Sequence, residues 1–142
     1  MTAYVDTSVL LRVALGQADA LPQWRQIDRG VTSVLARVEG LRTLDRLRLR
    51  ARLADAEVAR RRAIILQLLD SLELVDVDSL VLDRAAQPQP TELGTLDAIH
   101  LATALLWRES SRVELVMATH DLALATAAHA YGFSIVGAQT AR

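Results

Sequence analysis

The sequence predicts an α/β protein in which a mainly parallel sheet of about five strands is flanked by helices. Three observations lead there. Short β-prone runs alternate with helically spaced apolar stretches along the whole chain. The clearest run, Leu115-Val116-Met117-Ala118, is continuously apolar, as a strand covered on both faces would be. Finally, 142 residues that are 51% apolar can bury one sizeable core, so a single domain spanning residues 1–142 is expected.

Ala3-Tyr4-Val5 reads as the first strand, ended by the capping residues Asp6-Thr7-Ser8. Val9 to Leu15 reads as a helix that stops near Gly16. A polar passage with Pro22 and Trp24 leads through Gly30 to a second strand, Val31-Thr32-Ser33. Val34, Val38, Leu41 and Leu44 then follow helical spacing. Asp55 to Leu72 forms a longer helix with Val58, Ile65, Leu69 and Leu72 on one stripe. Leu74 to Val77 is the third strand, and Leu80 to Ala86 a short helix broken by Pro88 and Pro90. From Thr95 a helix carries Leu96, Ile99, Thr103 and Leu106 on one face. After the fourth strand, Leu122 to Tyr131 is helical and closes at Gly132, and Phe133 to Val136 is the last strand.

Composition narrows the chemistry. No run of about 18 apolar residues is present to span a membrane, and Met1 to Asp6 lacks the pattern of a secretory leader. A cytoplasmic protein with no membrane partner is therefore expected. The chain has no cysteine, which excludes disulfide frameworks, thiolate metal sites and thiol nucleophiles. All 16 basic residues are Arg. Nine of them lie between Arg37 and Arg62 against four acids, a local balance of +5, which leaves −6 for the rest. Such a stretch is either a phosphate-attracting face or a pair of solvated helix faces.

In an open parallel sheet, ligands bind beyond the carboxyl ends of the strands. Asp6 follows the first strand and Asp121 lies just past the fourth. Glu39 sits roughly two turns into the helix after the second strand, and Asp97 in the first turn of its helix. Gathered in one cleft, four carboxylates would raise one another's pKa unless a cation lay between them. Hard oxygen donors with no His or Cys pairing favour Mg²⁺ or Mn²⁺ over zinc, and such an ion suits phosphate esters. Each acid also has a plainer reading: Asp6 and Asp121 as helix caps, Asp97 as a helix-dipole partner, Glu39 as surface.

The motifs as a set resemble those of PIN-domain proteins. Val5-Asp6-Thr7-Ser8-Val9-Leu10-Leu11 is similar to their opening motif, and Thr32-Ser33-Val34-Leu35-Ala36-Arg37-Val38-Glu39 to their second. Gly94-Thr95-Leu96-Asp97-Ala98-Ile99-His100-Leu101-Ala102-Thr103-Ala104 resembles the third, and Ala118-Thr119-His120-Asp121 the fourth. Order, spacing and compact length are similar to the VapC toxins of VapBC toxin–antitoxin systems. The resemblance implies a PIN-like three-layer fold and an endoribonuclease. Asp6, Glu39, Asp97 and Asp121 would form the catalytic cluster holding one or two Mg²⁺ or Mn²⁺ ions. Thr7, Ser8 and Thr119 would support it by orienting a carboxylate or a water. It further implies structured RNA such as tRNA or rRNA as substrate, a homodimer, and inhibition by a cognate VapB antitoxin. An apolar groove for that antitoxin is expected on the helices after the first strand together with Asp55 to Leu72. The alternative within the family is a PIN nuclease or RNA-binding module in RNA processing with no toxin role.

His100, one turn after Asp97, reads as a hydrogen-bonded helix histidine beside the site rather than a general base, because metal-bound hydroxide makes a separate base unnecessary. His120 is assigned no role. Trp24 and Trp107 read as core or interface residues. Phosphate-receiver domains and aspartate-nucleophile phosphatases both need a Lys near the phosphoryl group, and the phosphatases a second Asp where this chain has Ser8. Neither that Lys nor the glycine spacing of a nucleotide-binding P-loop is present.

Overall fold

β1 (Thr2–Val5) is covered on both faces, as its unbroken apolar character requires: Ala3, Tyr4 and Val5 are fully buried. The computed structural model describes residues 1–138, so the expected domain end at residue 142 lies outside the described residues. Among them follow α1 (Thr7–Ala14), β2 (Arg29–Ser33), α2 (Leu35–Ala51), α3 (Asp55–Asp70), β3 (Glu73–Val75), α4 (Ser79–Ala85), α5 (Thr95–Ser111), β4 (Val116–Thr119), α6 (Leu122–Ala130) and β5 (Ile135–Gly137). Pro22–Gln26 forms a 3-10 turn between α1 and β2.

The five strands run in the order β3-β2-β1-β4-β5, and every pairing is parallel. The chain winds outward from β1 to β3, then returns to place β4 on the other side of β1. The carboxyl ends of β1 and β4 therefore flank the point where the winding reverses, the place where open sheets of this kind bind ligands.

Alternate side chains of a strand point to opposite faces, which divides the core into two layers. Tyr4, Val31 and Met117 face α5 and α6, meeting Leu101, Leu105, Leu124 and Phe133. Ala3, Val5 and Ala118 face the other way, onto Leu10, Leu44, Ile65 and Leu69 of α1, α2 and α3. α4 packs outside α5 through Val81, Ile99 and Ala102.

Two helices differ from the sequence reading in which face they bury. Of the expected stripe through Val34, Val38, Leu41 and Leu44, Leu44 is buried and Leu41 packs partly against the core, but the other buried residues of α2 are Ala36 and Gly40. A Cβ on Gly40 would stand 3.5 Å from Ile65 Cγ2, an ordinary contact, so this face of α2 lies against α3 and α1 with space for a methyl group at that position. Val38 is turned outward and is 59% exposed. α5 buries every residue from Ala98 to Leu105, and Trp107 as well, because the sheet, α4 and α6 all pack around it. Leu96, expected on its inner face, is 48% exposed. Strand boundaries move by one or two residues. β3 begins at Glu73, β4 at Val116 and β5 at Ile135.

Candidate functional site

Asp6, Glu39, Asp97 and Asp121 line one cleft of about 430 Å³, together with Thr7 and Ser8. The sheet accounts for this. β1 delivers Asp6 and its neighbour β4 delivers Asp121, while α2, which follows β2, carries Glu39 and α5, entered from the loop after α4, carries Asp97.

Asp6 occupies the N-cap position of α1, but its side chain makes no capping bond. Its Oδ2 instead accepts hydrogen bonds from Ser8 Oγ at 2.6 Å and Thr119 Oγ1 at 2.9 Å. The same two hydroxyls accept from the turn after β4: Ser8 Oγ from the His120 amide at 3.0 Å, Thr119 Oγ1 from the Asp121 amide at 3.0 Å. Thr119, fully buried, thus ties the carboxyl ends of β1 and β4 together beneath the cleft. Asp121 does cap its helix, with Oδ1 accepting from the Leu124 amide at 2.8 Å. Glu39 Oε1 accepts from Thr7 Oγ1 at 3.0 Å and is 2.5 Å from His100 Nε2. Asp6, Glu39 and Asp121 therefore each have one oxygen held by donors and a second that accepts no hydrogen bond among the described residues, with His100 Nε2 4.0 Å from Asp6 Oδ1.

Asp97 has no such anchor. Burial, followed by the charges of Asp121 and Asp6, pushes its pKa up from 3.8 to about 6. Burial would also raise Glu39, but the His100 hydrogen bond and charge, with the Thr7 hydroxyl, hold it below its ordinary value. His100 shows the mirror effect. Burial would lower it, yet the Glu39 hydrogen bond and the charges of Asp6, Glu39 and Asp97 leave it raised.

Unpartnered carboxylate oxygens around a crowded, up-shifted Asp97 fit a hard divalent cation. Among the described residues no three His, Asp or Glu groups are close enough to share one ion directly. That arrangement suits an ion that keeps part of its water shell, as Mg²⁺ does.

A pH dependence follows for the metal-free protein. Asp97 is raised in the fold, so stability is lost as pH climbs from 3.8 toward about 6. Raised His100 adds stability below its unfolded value of 6.5 and loses it as pH rises through its folded value. Glu39, lowered in the fold, acts only at the acid end, where stability falls as pH drops below 4.5. Metal-free protein is therefore expected to unfold at a higher temperature near pH 5 than at pH 8, as thermal scans in EDTA would read. Equal midpoints at the two pH values would contradict these shifts.

The wall of the cleft is mixed. Arg42, Thr43 and Arg46 line it from α2, and Leu11, Leu35, Val38 and Leu96 supply apolar surface. Arg42 and Arg46 line the cleft, Arg42 pairing with Asp45 at 3.0 Å and Arg46 donating to Thr43 Oγ1 at 3.0 Å. Arg48 shares Asp45 at 2.8 Å, while Arg60 and Arg61 pair with Glu57 at 2.7 and 2.6 Å away from the cleft. No residue of α3 lines this cleft, whose apolar rim comes from α1, α2 and the start of α5.

Over residues 3–130 the sequence matches the PIN domain family. The chain belongs to that family. It is 36% identical over 140 residues to ribonuclease VapC46 of Mycobacterium tuberculosis (strain ATCC 25618 / H37Rv), with 94% of this chain and 95% of the relative covered. Matching over nearly the full length of both chains places this PIN domain among the VapC proteins. Two solved structures share its fold at 21% identity. One is a toxin–antitoxin complex from Klebsiella pneumoniae, with a TM-score of 0.62 over 84% of this chain and 86% of that one. The other is PAE2754 from Pyrobaculum aerophilum, with a TM-score of 0.63 over 95% and 83%.

Around the PIN-domain acids, the residues picked from sequence lie close together, Thr119 beneath the floor and Thr7 and Ser8 in the cleft. His120 contributes its backbone amide to Ser8. Trp107 is a core residue, 7% exposed, whose indole N–H donates to Glu73 Oε1 at 2.9 Å. Trp24 packs at the edge of the α1–α3 layer. Tyr4 went unnoticed in the sequence, although a hydroxyl two positions before Asp6 in an apolar strand was the available signal. Its Oη lies 2.6 Å from His100 Nδ1.

Proposed function

We propose that this VapC-type PIN domain is a Mg²⁺-dependent endoribonuclease and the toxin component of a VapBC module. What carries the reading is one observation: Asp6, Glu39, Asp97 and Asp121 present unpartnered carboxylate oxygens to a single cleft whose wall holds Arg42 and Arg46. One or two Mg²⁺ or Mn²⁺ ions, held by these four acids in part through water, would lower the pKa of a bound water and neutralise charge on the scissile phosphate. Asp97, lacking any hydrogen-bond donor of its own, is the residue whose charge most needs such a partner. Ser8 and Thr119 keep Asp6 turned so that Oδ1 faces away from their hydroxyls. Thr7 and His100 do the same for Glu39. Arg42 and Arg46 bind the flanking RNA backbone and so align a phosphodiester over the acids.

Structured RNA, tRNA or rRNA, is the proposed substrate, and a homodimer the proposed assembly. The antitoxin reading draws support from the toxin–antitoxin complex among its structural neighbours and from the cleft itself. Exposed Val38 and Leu96, with Leu11 and Leu35, form an apolar rim beside four acids. A VapB segment with an amphipathic helix and a terminal Arg or Lys matches both surfaces. No helix among the described residues is long and apolar enough to cross a membrane.

Purified chain incubated with total RNA is expected to produce discrete fragments with Mg²⁺ or Mn²⁺ and none in EDTA. Mapping of new 5′ ends after induced expression identifies the target. Growth should stop on expression alone and recover when an adjacent upstream antitoxin gene is co-expressed, with the two proteins co-purifying. Cleavage without growth arrest, and with no co-purifying partner, would assign the protein to RNA processing instead.

A further inference from the structure

We propose that Tyr4 and His100 are positioning residues for the metal centre. They form a buried chain, Tyr4 Oη to His100 Nδ1 to Glu39, that fixes which oxygen of Glu39 is available to a divalent cation. The inference rests on the proposed metal-dependent reading of the cleft.

Both links are short: 2.6 Å from Tyr4 Oη to His100 Nδ1, and 2.5 Å from His100 Nε2 to Glu39 Oε1. Glu39 is an ionised carboxylate that only accepts, so His100 Nε2 carries the donated proton. In the neutral ring Nδ1 accepts from the Tyr4 hydroxyl, and in the charged ring Nδ1 donates to Tyr4 Oη; in both forms Nε2–H points to Glu39. Burial, then the charge of Asp6, raises the Tyr4 phenol well above its ordinary value, so the hydroxyl keeps its proton. The two rings meet edge to face, with centroids 5.9 Å apart and planes at 73°.

Both ring nitrogens of His100 are engaged, and the side chain is fully buried beneath the cleft, which suits it to holding Glu39. The chain spans three elements. Tyr4 comes from the central strand, His100 from α5 one turn after Asp97, and Glu39 from α2. Glu39 Oε1 receives both the imidazole and the Thr7 hydroxyl, which leaves Oε2 as its unpartnered oxygen. A long glutamate on a helix would otherwise sample several rotamers, and loss of that freedom is what a prepared ligand set requires. His100 Nε2 is also 4.0 Å from Asp6 Oδ1, so one ring adjoins two of the acids. A buried imidazole needs hydrogen bonds merely to be tolerated, and a purely structural role would satisfy that requirement too. The two roles differ in what the metal feels.

The test measures Mn²⁺ binding to the purified full chain by calorimetry, with wild type, Tyr4→Phe, His100→Leu, His100→Gln and Asp97→Asn compared. Positioning predicts Mn²⁺ affinity reduced by about tenfold or more in Tyr4→Phe and His100→Leu. His100→Gln should recover most of the affinity, because its side-chain amide can present an N–H near the place of Nε2. Wild-type affinity in a cooperatively unfolding Tyr4→Phe overturns the proposal, and this variant decides alone if His100→Leu does not fold. Equal loss in His100→Gln and His100→Leu overturns it as well, since a donor at Nε2 would then not matter. Asp97→Asn separates the two levels. Undiminished Mn²⁺ binding there defeats the metal reading and this inference together. Loss there with unchanged binding in Tyr4→Phe and His100→Leu defeats the positioning role only.

Discussion

Asp97→Asn is expected to lower RNA cleavage by roughly a thousandfold or more, because a catalytic cation contributes several kcal/mol of charge stabilisation in the transition state. Asn keeps the shape of the side chain but exchanges a carboxylate oxygen for an amide that cannot share a cation's charge. The fold should survive. Asp97 makes no hydrogen bond that the change would break, and its carboxyl is already pushed up to about 6 by burial and by Asp121 and Asp6. Removing that charge should stabilise the metal-free protein by about 1 kcal/mol near neutral pH, the shift being discounted for solvent at a half-exposed group. Initial rates on RNA, read beside thermal unfolding in EDTA, check both halves. A variant that cuts at the wild-type rate removes Asp97 from the catalytic set.

Changing Arg42 and Arg46 together to Gln should raise KM for RNA by roughly tenfold to a hundredfold, since each charge-assisted contact is weakened by its exposure. The slope of log affinity against log salt should shrink by about 1 for each arginine lost. Turnover at saturating RNA should change far less, because neither guanidinium anchors a carboxylate of the cluster. Arg60 and Arg61 serve as the control. Their partner is Glu57 on α3, which does not line the cleft, so the same substitution there should leave the salt slope unaltered. Equal effects at both pairs would show that overall charge, rather than the cleft wall, draws RNA to the protein.

The acids that line the cleft were legible in the sequence because they are tied to local signals. Asp6 follows an apolar strand, Thr119 ends another with Asp121 two residues on, and Asp97 lies in the first turn of a helix after a Pro-rich loop. Capping chemistry alone describes these positions equally well, and for Asp121 it does hold, with the Leu124 amide bound to its carboxylate. Asp6 shows why position in a helix is not enough. Its N-cap geometry is extended, φ −71° and ψ 152°, yet the side chain turns to Ser8 and Thr119. Thr119 is 113 residues away in the chain, so no local pattern could report the choice.

What the sequence determined by itself was the alternation of strands and helices, the parallel sheet, the family and the identity of the four acids. The alternation and the sheet follow from apolar runs and punctuation by Pro and Gly, which are short-range properties; the family and the choice of acids follow from the resemblance of four motifs in order. The tertiary structure alone decided which helix faces are buried and which arginines stand at the cleft. It also decided that Tyr4 reaches His100 and His100 reaches Glu39, 61 residues apart in sequence. The physical reason is that periodicity marks apolar side chains by size. Packing can also bring small residues inside, and Ala36 and Gly40 lie on the inner face of α2 against α1 and α3. That choice turns Val38 outward and leaves Arg42 and Arg46 on the wall beside the acids.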